Sequence, residues 1–72
     1  MRKTYRRLWY KEDENRPLVT DIEWAMFRFS QKEGQEATKL IIPISEQELF
    51  SEATNLELIM SKDMPIDYFG LR

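Results

Sequence analysis

Between residues 3 and 11 the chain alternates cations with rings, so that Lys3, Tyr5, Arg7, Trp9 and Lys11 share one side of an extended strand. That pattern carries a specific chemistry. Aromatic faces stack on unpaired bases, at about 1–3 kcal/mol per base, while cations between them track the phosphates. A grip on single-stranded nucleic acid through these five residues is therefore one candidate activity. Two features oppose it: the net charge is −2, and Asp21 or Glu23 on a neighbouring strand would neutralise the stripe.

Catalysis lacks its parts. The sequence has no histidine, which removes the usual neutral-pH base and the commonest metal ligand, and no cysteine to act as a nucleophile or form a disulfide. Glu48 and Glu52 stand one helical turn apart, but on a solvent-facing side where nothing apolar would raise a carboxyl pKa. Glu12-Asp13-Glu14 does not have the spacing of a calcium loop. Ser30, Ser45, Ser51 and Ser61 have no base partner legible in sequence. Gly34 and Gly70 are the only glycines, too few for a phosphate-cradling loop. The expectation is a non-enzyme with no catalytic residues, no metal site and no cofactor.

The elements that must position these residues fit one small α+β domain over residues 1–72. Residues 3–11 read as a first strand, and the polar stretch 12–17 ends in a proline that stops it. Residues 19–31 admit two readings. As a strand they put Ile22, Trp24 and Met26 on one face and Ala25, Phe27 and Phe29 on the other. As a helix they would open on a Thr20–Glu23 capping box, with Ile22, Met26 and Phe29 in one stripe. Aromatic content favours the strand, followed by a hairpin turn at Lys32-Glu33-Gly34-Gln35 with Gly34 at positive φ. Residues 37–44 read as a third strand. Ser45-Glu46-Gln47-Glu48 then looks like a capping box for a helix over 46–61, with an apolar arc of Leu49, Ala53, Leu56 and Met60. The expected architecture is a three-stranded antiparallel meander packed on one helix (β-β-β-α), with a short C-terminal turn or helix. Cations would guard one edge strand and Pro43 the other.

Such a meander buries only one sheet face, yet both faces here carry large rings. Leu58 also points away from its helix's arc. The surplus predicts either a C-terminal segment, Tyr68-Phe69, folded over the second face, or a second chain. Tyr5, Trp9 and Trp24 are the expected anchors of a homodimer or partner interface, because Trp and Tyr dominate interface energetics. Glu48, Glu52 and Glu57 would form its charged rim.

Glu46-Gln47-Glu48-Leu49-Phe50 resembles the short Gln-x-x-Leu-Phe peptide by which proteins dock on the bacterial replication sliding clamp; Leu49 and Phe50 match, while Glu46 replaces the glutamine. The resemblance implies the clamp as a candidate partner, although packing of Leu49 in the helix core explains the same residues. Carboxylates at helical spacing also imitate a phosphate backbone, as small phage or mobile-element inhibitors of DNA-processing proteins do. The expected function is thus a non-catalytic protein-binding module of that inhibitor type, with the single-stranded nucleic-acid binder as the alternative. No apolar run approaches the roughly 20 residues that cross a bilayer, and the basic start lacks an apolar h-region, so a cytoplasmic protein is expected.

Overall fold

The computed structural model describes residues 3–7 and 18–72. Their elements run β1 (Lys3–Arg6), α1 (Leu18–Glu33), β2 (Lys39–Pro43), a 3₁₀ turn (Ile44–Glu46), α2 (Gln47–Ala53), β3 (Glu57–Ser61) and β4 (Tyr68–Leu71). The α+β class is as expected; the meander is not. The described strands form one four-stranded mixed sheet in the order β1-β4-β2-β3. The last strand lies between β1 and β2, antiparallel to both, and β2 and β3 pair in parallel through α2.

Residues 19–31, expected as the middle strand, are a helix. Leu18, Ile22, Ala25 and Phe29 recur at the helical period and form its buried stripe. A strand would have needed cover for Trp24 and Phe27 on opposite faces; the helix turns both outward. Lys32 lies in the last turn, where a cation suits the helix dipole. Gly34 has the anticipated positive φ, 71°, but it terminates this helix instead of closing a hairpin. Its N–H donates to the Ser30 carbonyl at 3.0 Å, satisfying one of the carbonyls that a helix end leaves open.

The helix expected over 46–61 forms only over Gln47–Ala53, and its second half is strand β3. Ser45 falls within the 3₁₀ turn, and no side-chain hydrogen bond caps either that turn or α2, so the capping box is not formed. After α2, Thr54 is extended, and its hydroxyl accepts a hydrogen bond from the Leu56 N–H at 3.2 Å. Hydroxyl side chains that bond local backbone in this way compete with helix. The apolar run Leu58-Ile59-Met60 can then pair with β2 instead of continuing the helix.

Leu40 and Ile42 of β2, Phe69 and Leu71 of β4 and Phe50 of α2 join the α1 stripe in one core, with Tyr5, Ala53, Leu56 and Leu58 packed against it. Both helices therefore lie on the same side of the sheet. Pro43, expected to guard an edge, ends an interior strand. It is tolerated because β4 registers only with Leu40 and Ile41, so no bond to β4 is forfeited at residue 43.

Candidate protein interface

The α1 stripe that feeds the core leaves Thr20, Trp24, Phe27 and Gln31 on the opposite side of the helix. Trp24 and Phe27 are each 55% exposed, and their rings meet edge to face with centroids 6.2 Å apart. Thr20 and Glu23 complete a shallow groove with them. Phe27 also borders an adjoining depression lined by Met26, Ser30, Glu36 and Ala37. A solvated helix face needs only polar residues of good helix propensity. An indole and a phenyl ring held together in water are the informative exception.

Of the residues expected at an interface, Trp24 is on this face and Phe27 was not foreseen. Helical periodicity over 18–33 would have found it, since it brings Phe27 beside Trp24. Phe69 is fully buried and presents no surface. Tyr5 is half-buried, stacked on Phe69 at 5.8 Å, and Leu58 packs on the core. Tyr68 is half-buried in β4. Glu48 and Glu52 are exposed on α2. Glu57 is not beside them: it registers with Lys39, on the sheet face away from the helices, and its carboxylate lies 3.9 Å from the Lys39 ammonium. Trp9 and Lys11 lie outside the described residues.

Of the cation-ring stripe, Lys3, Tyr5 and Arg7 are described, and all three turn toward the helices. Lys3 pairs with Glu33 of α1 at 3.4 Å. The Arg28 guanidinium lies 5.4 Å from the Tyr5 ring centroid. Burial pushes the Tyr5 hydroxyl above the ordinary tyrosine pKa; Arg28 opposes that shift and Glu33 adds to it. Arg7 is buried, its guanidinium 5.9 Å from the Phe50 ring centroid. Its Nη2 donates to Glu46 Oε1 at 3.3 Å and to Asp67 Oδ1. The backbone closes the same knot. The Arg7 N–H donates to the Asp67 carbonyl at 2.8 Å, and the Asp67 N–H donates to Glu46 Oε1 at 3.4 Å. Asp67 holds φ at 70°, the left-handed region, to make these contacts. Nothing in the sequence marks Glu46 and Asp67 as the partners of Arg7, because they meet it only through the sheet order.

The clamp-like segment is divided. Phe50 is fully buried, edge to face with Phe69 at 5.8 Å, while Leu49 is 44% exposed. Ile44 and Leu49 instead flank a shallow surface depression over residues 44–49. Among the described residues, no three acidic side chains converge as metal ligands, and no helix is long and apolar enough to cross a membrane. No protein family, curated protein or solved structure matches the chain.

Proposed function

We propose that this chain is a non-catalytic protein-binding module that docks through the outer face of α1, with Trp24 and Phe27 as its anchors. The observation that carries the reading is the exposed, mutually packed ring pair directly opposite the helix's buried stripe. Glu23 and Glu36 border the rings, so the complementary partner offers an apolar cleft rimmed by Lys or Arg. The concrete form of this reading is a small inhibitor of a host protein, of the kind phages and mobile elements make. Exposed Glu48 and Glu52 would steer it toward a basic, DNA-binding target. The nucleic-acid alternative draws no support from Lys3 and Arg7, whose charges are engaged by Glu33, Glu46 and Asp67.

Affinity capture from a bacterial lysate, with and without nuclease, tests the reading against the Trp24→Ala/Phe27→Ala variant. The wild-type chain should retain a defined protein regardless of nuclease. The double variant should keep its circular dichroism spectrum yet lose at least about 30-fold in affinity, the scale of an aromatic hot spot. In a Trp9→Phe background Trp24 is the sole indole, and its emission should shift to the blue when the purified target is added. Capture that survives the double substitution, or that nuclease abolishes, would discard the α1 face as the docking surface.

A further inference from the structure

We infer that β3 is a self-association edge, through which two copies pair antiparallel across a twofold axis and join their sheets into one. The inference stands on backbone geometry and does not depend on the α1 face.

Among the described residues β3 has a neighbour on one side only, β2. The Glu57 N–H donates to the Thr38 carbonyl at 3.4 Å, so the backbone of residue 57 faces inward. Successive residues of a strand aim their backbone groups to opposite edges. Ile59 and Ser61 therefore also face β2, and the N–H and C=O groups of Leu58 and Met60 point out of the sheet. Among the described residues no strand meets those donors and acceptors, and both side chains are apolar; Met60 is 43% exposed.

Edge strands ordinarily carry a charge, a proline or a bulge that prevents pairing. The interior of β3, Leu58-Ile59-Met60, has neither charge nor proline, and its register with β2 runs unbroken from Glu57 to Ser61. The occupant is a second copy because the strand is complementary to itself. With Ile59 opposite Ile59 of the second copy, Leu58 and Met60 become the hydrogen-bonded pairs, matching their outward backbone groups. Glu57 then meets Ser61, and Leu56 meets Lys62, so no like charges oppose one another. The alternative centred on Met60 would set Glu57 against Asp63. The one centred on Leu58 would set Glu57 against Ile59. The twofold axis runs through Ile59, and the helices of both copies lie on the same side of the joined sheet.

Analytical ultracentrifugation over a wide concentration range reads the association. The wild-type chain should sediment with twice the chain mass at high concentration, and Met60→Lys should sediment as a monomer with an unchanged circular dichroism spectrum. Trp24→Ala/Phe27→Ala should remain dimeric, which separates this edge from the α1 face. The register has its own readout in a chain without native cysteine. Directly opposed residues of a non-hydrogen-bonded antiparallel pair have Cα atoms about 4.5 Å apart, within disulfide reach. With an added oxidant, Ile59→Cys should become a covalent dimer, doubling in mass on a non-reducing gel, well before Glu57→Cys does. A wild-type monomer at every concentration would overturn the inference, as would a dimer that persists in Met60→Lys or is lost in the α1 double variant. Faster cross-linking at residue 57 than at residue 59 would overturn the register.

Discussion

At the β1 end of the sheet every described inward charge has a partner within the chain: Lys3 reaches Glu33, and Arg7 reaches Glu46 and Asp67. At the β3 end the three central residues carry no charge, and their outward backbone groups meet no described strand. The two edges leave the same fold in opposite ways. Cations at the first are neutralised by contacts that hold α1, the 3₁₀ turn and the β3–β4 connection to the sheet. The second presents apolar side chains at its centre; both end strands have one described neighbour, so the difference lies in their side chains. A charge that could have guarded an edge or gripped a phosphate instead does structural work at β1, which leaves recognition to apolar surface elsewhere.

The largest effect is expected at the β1 edge. Arg7→Ala removes the cation between two carboxylates, one of which, Glu46, has a side chain only 12% exposed. Leaving a buried charge without its counter-ion costs about 3–5 kcal/mol, and a small domain has little more than that in total. Urea unfolding should show the variant largely unfolded near 25 °C. The Arg7→Met/Glu46→Leu pair should regain much of the loss, since apolar replacement of both partners of a buried ion pair is commonly tolerated. A variant Arg7→Ala as stable as the wild-type chain would mean that the knot is not what holds this edge.

How much of this was legible in the sequence depends on the distance between the residues concerned. The alternation of Lys3, Tyr5 and Arg7 was readable, and so was the positive φ of Gly34, because both are local. Residues 19–31, read as strand, are helix, whereas the helix read over 46–61 is right for Gln47–Ala53 and gives way to a strand at Glu57–Ser61. In the first, apolar residues lie on both sides at period 2, a pattern that does not define a buried strand face. The period of Leu18, Ile22, Ala25 and Phe29 does define a helical one. In the second, Thr54-Asn55 marks the break, but the pairing of Leu58-Ile59-Met60 with β2 is tertiary. The inward turn of Arg7 was not readable at all, since its partners are 39 and 60 residues away.

A smaller effect distinguishes the Lys3–Glu33 pair from the Arg7 knot at the same edge. The Lys3 side chain is 36% exposed and that of Glu33 22%, so water screens this pair more than the Arg7–Glu46 pair, at 6% and 12%. Lys3→Ala should cost no more than about 1 kcal/mol, and added salt should shrink that difference. A loss as large as that of Arg7→Ala would show that the first strand is held at its start and not at its end.

The smallest effect appears only in alkali. Tyr5 stacks on Phe69 beneath Arg28, and its burial favours the neutral phenol over the phenolate. Its folded-state pKa is raised above the unfolded value of 10.0, so the folded chain holds this proton more tightly than the unfolded one. The resulting stability is fully present below pH 10.0 and is lost as pH rises through the higher folded value. Urea unfolding at pH 9 and pH 11, about one unit on either side of the unfolded value of 10.0, should therefore show a smaller drop for Tyr5→Phe than for the wild-type chain. The difference between the drops isolates the Tyr5 hydroxyl, the one group by which the two chains differ. If the two drops are equal, the Tyr5 hydroxyl is as well solvated in the folded chain as in the unfolded one, and water reaches it between the Phe69 ring and the Arg28 guanidinium.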